Sequence, residues 1–381
     1  MKKALMLASV ASMIDQFNMP NIELLQSLGY KVHVACNFNK GSTCTPEKIA
    51  ALKEKLTAMG VEYTQIDFSR NITDIKTLWR SYRQSRSLIE SDPFDLIHCH
   101  SPVGGAICRL AARKARKKFG TKVIYTAHGF HFYKGAPKKN WLVYYPVERL
   151  CSRWTDLLIT INKEDAELAE RKMKAKKTVR IPGVGINAAR FSECSADRAE
   201  KRKEFGIPND AILIASVGEL NQNKNHRVIV EAIKDMNNVH YAIAGQGAEK
   251  DSLIALAEQL GIKDRLHLLG FRRDVDEIYK AADICAFPSQ REGLGLAAIE
   301  GMAAGLPLIA SEIRGVNDYA ANGDNAFLCT PTDVEGFRKA IECLVADKEL
   351  RKSMGNKNAE IAKSYDKSVI MPLMKDIYLG K

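Results

Sequence analysis

Short apolar runs alternate with helical patterns along the whole chain. In the first half, runs typical of buried strands lie at Lys3–Ser9, Lys31–Cys36, Leu96–His100, Lys122–Thr126, Leu157–Ile161 and Thr178–Ile181. Helical periodicity fills the gaps, for example at Asn21–Leu28 and Gly104–Lys118. The second half repeats this pattern, with strands predicted at Ile212–Val217, Val239–Ala244, Leu266–Leu269, Ile284–Phe287 and Leu306–Ala310. Such alternation predicts parallel sheets that are covered by helices on both faces.

The same pattern predicts how the chain divides. Helices are expected in the second half at Asn225–Met236, Glu249–Leu260, Val275–Ala281, Leu296–Ala304 and Val334–Val345. The alternation breaks at 182–187, a Pro- and Gly-containing segment typical of a linker. We therefore predict two doubly wound α/β domains, 1–185 and 186–365, and a last helix in 366–381 that crosses back to the first domain. Ligands bind at the carboxyl ends of such strands, so the expected site is a cleft between the domains.

Composition narrows the class of protein. The chain is 46% hydrophobic and 27% charged, which is typical of a globular protein. No apolar run reaches the roughly 18–20 residues that span a bilayer, and Met1–Val10 fits a first buried strand better than a signal peptide. The nine cysteines, Cys44 among them, form no CxxC pair. That scatter favours a reducing cytoplasm over a disulfide scaffold.

Positive charge is concentrated in the first half. Residues 1–185 hold 31 of the 57 Lys+Arg and 16 of the 45 Asp+Glu, a net charge of +15, whereas the remainder carries −3. Helical spacing places Arg109, Arg113, Arg116 and Lys117 on one face, with Lys114, Lys118, Lys134, Lys138 and Lys139 nearby. A solvated face is the ordinary interpretation, but the asymmetry favours a surface for anionic lipid headgroups, at about 1 kcal/mol per basic residue. A non-enzymatic nucleic-acid-binding module is an alternative, disfavoured by the few aromatic residues and by the lack of a binding motif.

The segment Phe287–Ser311 carries the clearest candidate chemistry. Glu292 and Glu300, separated by seven residues, bracket a Gly-Leu-Gly turn that leads into a small-residue helix. Glycines let the backbone approach a ligand closely, and the start of a helix attracts anions such as a diphosphate. Two acidic residues beside an ordinary strand–turn–helix would be the alternative.

Together with Tyr125–Phe132, Trp141–Arg149, Thr160–Asp165 and Val217–Asn225, that segment resembles retaining glycosyltransferases of family 4. Within that family, the chain looks most similar to enzymes that build bacterial exopolysaccharide, capsule or other lipid-linked glycans. The resemblance covers most of the chain and implies a GT-B fold, two Rossmann-like domains facing a central cleft. It also implies a UDP-sugar donor, a polyprenyl-diphosphate-linked saccharide acceptor, a location at the inner face of the plasma membrane, and no metal ion or other cofactor. A GT-B enzyme acting on the nucleotide-sugar itself, such as an epimerase, stays open.

The resemblance also implies roles for particular residues. Lys224 matches the lysine that neutralises the leaving diphosphate, Glu292 a sugar-binding glutamate, and His128 a histidine that contacts the transferred sugar. The donor nucleotide would be held by Gly218, Lys224, Gly245, Gly247, Phe271, Arg272, Gly293, Leu294, Gly295, Leu296 and Glu300. The family's usual arginine is replaced by Glu219, so either Lys224 acts alone or Arg272 or Arg273 supplies the second charge.

Other positions are less informative. His98 and His100 alternate on one strand face, but a zinc site would need a further ligand that the sequence does not offer. We expect His100 near the acceptor. The family's glycine-rich loop after the first strand is replaced here by Ser9–Phe17, which contains no glycine.

Overall fold

The computed structural model describes residues 1–40, 45–69 and 71–381, so Cys44 lies outside the described residues. The described chain forms two compact units. The first comprises Met1–Val184 together with Ile370–Lys381, and the second comprises Gly185–Val369. Each unit contains one all-parallel sheet with helices packed on it, which confirms the predicted doubly wound α/β class.

The first unit is built on a seven-stranded sheet with the order β3-β2-β1-β4-β5-β6-β7. Its strands are β1 (Lys2–Val10), β2 (Tyr30–Asn37), β3 (Glu62–Gln65), β4 (Leu96–His100), β5 (Lys122–Ala127), β6 (Leu157–Thr160) and β7 (Lys177–Arg180). Its helices are α1 (Ala11–Met13), α2 (Met19–Ser27), α3 (Pro46–Ala58), α4 (Ile75–Ser91), α5 (Pro102–Phe119), α6 (Lys138–Ser152) and α7 (Lys163–Lys172), with a π-helical turn at Ile14–Asn18. The edge strand β3 was not predicted, because its four residues are polar and half-exposed.

The second unit has a six-stranded sheet with the order β10-β9-β8-β11-β12-β13. Its strands are β8 (Ile212–Val217), β9 (Val239–Ala244), β10 (Leu266–Gly270), β11 (Ile284–Phe287), β12 (Leu308–Ser311) and β13 (Ala326–Cys329). Its helices are α8 (Ala188–Ser192), α9 (Arg198–Glu204), α10 (Arg227–Ala232), α11 (Lys250–Gln259), α12 (Val275–Ala281), α13 (Leu296–Ala303), α14 (Val334–Ala346) and α15 (Lys348–Lys363), with 3₁₀ turns at Lys263–Arg265 and Val316–Asp318. The last helix, α16 (Lys367–Leu379), begins in this unit and continues into the first.

One predicted helix is much shorter in the structure. The pattern predicted Asn225–Met236, whereas α10 spans Arg227–Ala232. Asn225 has a φ of 54°, which no helix tolerates, and its side-chain amide donates to the carbonyl oxygens of Pro288 and Pro331 at 3.1 and 2.8 Å. These long-range hydrogen bonds account for the two residues lost at the start of the helix. At its end, the carbonyl oxygens of Ile233 and Lys234 accept hydrogen bonds from the guanidinium of Arg265 at 2.9 and 2.7 Å.

The predicted basic face of α5 requires a correction. Arg109 is not on the surface: it is fully buried, and its guanidinium binds the carboxylate of Glu148 on α6 at 2.6 and 3.1 Å. The same group lies 3.8 Å from the ring centroid of Tyr125. Arg116 is largely buried and binds Asp156 at 2.6 and 2.9 Å. Periodicity alone could not separate these structural arginines from the exposed Arg113.

No helix among the described residues is both long enough and apolar enough to cross a lipid bilayer.

Removing one member of the buried ion pair should destabilise the first unit strongly. Glu148→Ala leaves the Arg109 charge buried without its carboxylate, and we expect a loss of about 3–5 kcal/mol in the free energy of unfolding. The double variant Arg109→Met/Glu148→Leu, which removes both charges and keeps apolar volume, should lose less. Urea unfolding of the purified chain measures both values. Exposed Glu167→Ala is the matched control, and an equal effect of Glu148→Ala and Glu167→Ala would contradict the prediction.

Candidate functional site

The candidate site of the second unit lies where the strand order of its sheet reverses. β8 and β11 are neighbours, but the chain leaves β8 toward β9 on one side and leaves β11 toward β12 on the other. The loops at their carboxyl ends therefore diverge and leave a crevice, the usual ligand position in such sheets. Each loop carries a predicted charged residue, and the Nζ of Lys224 lies 2.6 Å from a carboxylate oxygen of Glu292. The ammonium also lies 5.1 Å from the ring centroid of Phe287.

Backbone and amide contacts hold these two loops in register. The N–H of Gln290 donates to the carbonyl oxygen of Asn223 at 2.7 Å, and the Asn223 amide donates to the carbonyl oxygen of Arg291 at 3.0 Å. Asn225 adds its bond to Pro288. Cross-loop hydrogen bonds thus lie on both sides of Lys224 and directly before Glu292, and they fix the separation of the two loops.

The predicted glycines allow two loops to pack backbone to backbone. A Cβ on Gly245 would lie 1.8 Å from the carbonyl oxygen of Gly218, and a Cβ on Gly247 would lie 2.2 Å from that of Leu220. A Cβ on Gly218 would come within 3.2 Å of the Lys224 side chain. These glycines position the Lys224 loop by their small size.

The Gly-Leu-Gly turn packs against two aromatic side chains, Phe287 and Tyr319. Gly295 has a φ of 90° at the N-cap of α13, and a Cβ there would lie 2.7 Å from the ring of Phe287. Leu294 is buried, and its carbonyl oxygen accepts a hydrogen bond from the Tyr319 hydroxyl at 3.0 Å. The N–H of Ala298 donates to the carbonyl oxygen of Gly295 at 3.0 Å. The N–H groups of Leu296 and Ala297 precede it at the start of α13, the end of a helix that attracts anions.

Glu300 lies in the second turn of α13 and is largely shielded from solvent. Burial raises the pKa of its carboxyl to about 7, although Arg190 and Lys367 partly oppose the rise. Arg190 is itself bound to Asp276. The carboxyl group therefore changes its charge near neutral pH, unlike an ordinary glutamate.

The remaining predicted residues are exposed or are paired with other side chains of the second unit. Phe271 is 55% exposed, and Arg272 binds Asp274 and Glu204, so its positive charge is already balanced. Glu219 is exposed and accepts a hydrogen bond from the Asn221 amide at 2.8 Å. Among the described residues, Lys224 is the predicted cation that stands at the strand-order reversal.

Histidines occupy the corresponding edge of the first unit, beside the reversal between β1 and β4. His98 and His100 lie on β4 with ring centroids 4.2 Å apart, and His128 follows β5. Nε2 of His128 lies 3.1 Å from Nδ1 of His100. His98 bridges Thr126 and Tyr378 of α16, at 2.8 Å each. Burial lowers the pKa of His98 to about 3 and that of His128 to about 4, so these rings are neutral at pH 7.

The contacts of His100 determine which nitrogen of His128 carries the proton. Nε2 of His100 lies 3.2 Å from the sulfur of Met6, and a thioether can only accept a hydrogen bond. Nε2 of neutral His100 is therefore protonated, and its Nδ1 must accept from Nε2–H of His128. This leaves Nδ1 of His128 unprotonated, so His128 can accept a hydrogen bond there.

Sequence patterns did not indicate several residues that support these sites. Met6, Phe287, Tyr319 and Tyr378 resemble ordinary core residues in the sequence, and their roles arise from contacts between distant segments. In the described part of the chain, no cluster of three or more His, Cys, Asp or Glu side chains could hold a metal ion.

Comparison with known protein families shows to which family the chain belongs. Residues 22–190 match the family described as Glycosyltransferase Family 4, and residues 197–361 match Glycosyl transferases group 1. A Bacillus subtilis protein named as a glycosyltransferase, EpsD, is 38% identical over 99% of this chain and 96% of its own length. The chain belongs to the family 4 glycosyltransferases and is a glycosyltransferase.

Other similar proteins agree with this assignment. The Escherichia coli UDP-Gal:alpha-D-GlcNAc-diphosphoundecaprenol alpha-1,3-galactosyltransferase is 30% identical over 81% of this chain and 80% of its own length. Among solved structures, Anabaena HepE in complex with UDP has a TM-score of 0.78 at 18% identity, with full coverage of both chains. The lipopolysaccharide glycosyltransferase WaaG has a TM-score of 0.75 at 19% identity, also with full coverage. These structures confirm the GT-B fold.

The proton position on His128 can be measured directly. In protein labelled with ¹⁵N-histidine, long-range ¹H–¹⁵N spectra should show His128 as the Nε2–H tautomer, with no titration between about pH 6 and 8 because its pKa is lowered to about 4. Met6→Leu removes the acceptor for His100 and should give His128 a mixture of tautomers. His131→Gln, outside this chain of contacts, serves as control. A wild-type His128 protonated at Nδ1 would contradict the derivation.

Proposed function

We propose that this glycosyltransferase moves a sugar from a UDP-sugar to a saccharide linked through diphosphate to a polyprenol, with retention of anomeric configuration. The observation that best supports a nucleotide-sugar donor is the Lys224–Glu292 ion pair, whose charged atoms lie 2.6 Å apart. The pair lies in the loops at the carboxyl ends of β8 and β11, the second of which leads directly into α13. The E. coli relative, whose name specifies UDP-Gal and a diphosphoundecaprenol acceptor, supports both substrates. The UDP complex of HepE supports the nucleotide.

The donor is assigned to the second unit. Its diphosphate is held by the N–H groups at the start of α13 and by Lys224, whose ammonium balances the charge that develops on the leaving group. Glu300 accepts hydrogen bonds from the ribose hydroxyls. Glu292 accepts from a hydroxyl of the sugar, and the segment around Phe271 holds the base.

The proposed chemistry is a same-face substitution. The bond between the anomeric carbon and the diphosphate oxygen breaks as the acceptor hydroxyl forms its new bond to that carbon, and the hydroxyl proton passes to the leaving diphosphate. His128, with Nδ1 unprotonated, accepts a hydrogen bond from the sugar and orients it. Positive charge comes from Lys224 and the helix N-terminus, so the proposal assigns no step to a metal ion or other cofactor.

The acceptor is assigned to the basic first unit, at the inner face of the plasma membrane. Arg109 is buried and Arg116 is largely buried, so neither contributes to this surface. The exposed basic residues on α5, in the segment before α6 and at the start of α6 are Arg113, Lys114, Lys117, Lys118, Lys134, Lys138 and Lys139. Their charge supports attraction to anionic lipid headgroups. This peripheral contact would concentrate a membrane-bound acceptor.

Lys224→Ala tests the leaving-group role. We expect turnover to fall by about 10²-fold or more, because the charge that develops on the diphosphate loses its cation. Product formation is measured by mass with a panel of UDP-sugars and synthetic polyprenyl-diphosphate saccharides. Lys234→Ala, at an exposed lysine of the same unit, is the matched control. Wild-type turnover in Lys224→Ala would overturn the site, and UDP release without acceptor would point to chemistry on the nucleotide-sugar itself.

Donor affinity should depend on pH through Glu300. Because the carboxyl pKa is raised to about 7, lowering the pH through 7 protonates the group and removes acceptors for the ribose hydroxyls. We expect the dissociation constant of a UDP-sugar to rise as the pH falls from about 8 to about 6, by up to about tenfold. Calorimetry measures it, since the charge of the UDP-sugar is constant in this range. Glu300→Gln should bind more weakly and lose the pH dependence; an unchanged pH profile would contradict the assignment.

A further inference from the structure

An apolar pocket in the first unit has no role in the site described above. It has a volume of about 400 Å³ and lies between α5, α6 and the segment that follows β5. That volume is in the range of small-molecule binding sites. Its walls are apolar and aromatic, with Ile107, Phe130, Tyr144 and Trp154 among them.

The pocket favours an apolar occupant. The Glu148 carboxylate lies in its wall, but both oxygens are already bound to Arg109 at 2.6 and 3.1 Å. The ring of His131 packs on Tyr144, with centroids 4.6 Å apart. Most of the wall residues are apolar or aromatic, so an apolar chain placed here would gain from leaving water.

The pocket opens onto an apolar face of α6. Val143, Val147 and Leu150 line it and yet remain 44%, 48% and 47% exposed. Their spacing of four and three residues places them along one side of the helix. A chain longer than the pocket can therefore continue along the surface over apolar side chains.

Positive charge stands at the edges of this apolar region. The guanidinium of Arg113 lies 5.5 Å from the ring centroid of Trp154, and the exposed Lys138 and Lys139 begin α6. An apolar cavity beside exposed cations matches an amphiphile with an anionic head and an apolar tail. Gly129 and Phe130 line the pocket and directly follow His128 in the chain. A tail bound in the pocket therefore belongs to a substrate that binds beside His128.

We propose that this pocket binds the isoprene units of the acceptor lipid nearest to its diphosphate. The inference rests on the proposed function, since the lipid-linked acceptor comes from there. It assigns a separate site for the tail, so that the enzyme recognises the carrier as well as the sugar. The tail site adds affinity for the acceptor and takes no part in bond breaking.

The test uses farnesyl diphosphate as a soluble probe of the tail and inorganic diphosphate as a probe of the head alone. Calorimetry with the full chain should show saturable binding of farnesyl diphosphate and at least about tenfold weaker binding of inorganic diphosphate. Ala106→Phe, which fills the pocket from α5, should weaken farnesyl diphosphate binding by at least about tenfold. Leu142→Ala is the matched control, because Leu142 is 77% exposed on α6 and does not line the pocket.

A kinetic measurement separates this proposal from the proposed function. With a farnesyl-diphosphate saccharide, Ala106→Phe should raise the acceptor KM, and with a methyl-diphosphate saccharide it should not. If Ala106→Phe does not fold, Val147→Trp fills the pocket from a half-exposed position. Equal binding of farnesyl diphosphate to wild type and filled variants, or equally tight binding of a linear alkyl diphosphate, would overturn the isoprenoid site. Absence of transfer to every lipid acceptor, with farnesyl binding intact, would instead refute the proposed function.

Discussion

Both candidate sites depend on the reversal of strand order in an all-parallel sheet. In the second unit the chain leaves β8 and β11 in opposite directions, so the two loops at this point separate and their polar side chains can face a ligand. The same reversal between β1 and β4 places the histidines of the first unit at the corresponding edge. The topology, more than any single residue, decides where chemistry is possible.

Burial gives the two sites opposite electrostatic characters. In the second unit, Lys224 and Glu292 form an ion pair. In the first unit, the buried imidazoles of His98, His100 and His128 lose the charged form because water is excluded. Under the proposed function, one site offers a cation to a diphosphate, and the other offers a neutral hydrogen-bond acceptor whose proton position is set by Met6. That difference matches the division between an anionic donor and an uncharged sugar hydroxyl.

The sequence indicated the features that depend on local pattern. Apolar runs predicted the central strands well, and the loops after β8 and β11 could be assigned because their glycines and charged residues stand directly after those strands. The edge strands β3 and β13 were missed because they are short and, in β3, polar. The burial of Arg109 and the shortened α10 could not be predicted, since each depends on a partner far along the chain: Glu148 for Arg109, and Pro288 and Pro331 for Asn225. Periodicity predicts which residues share one face of a helix, but it does not predict which distant residues pack against that face.

The Lys224–Glu292 pair also bears on the substitution of Glu219 for the family's usual arginine. Arg272 is already neutralised by Asp274 and Glu204, so under the proposed function Lys224 and the start of α13 hold the diphosphate. Lys224 is bound to the carboxylate of Glu292, so a diphosphate must compete with Glu292 for it. Under the proposed function, the competition links two recognition events: phosphate binding draws Lys224 away, and Glu292 then becomes an unpaired carboxylate that needs a sugar hydroxyl. A nucleotide without the sugar would leave Glu292 unsatisfied in a partly buried position, which is costly. Under the proposed function, the ion pair therefore favours binding of the complete donor over binding of free UDP.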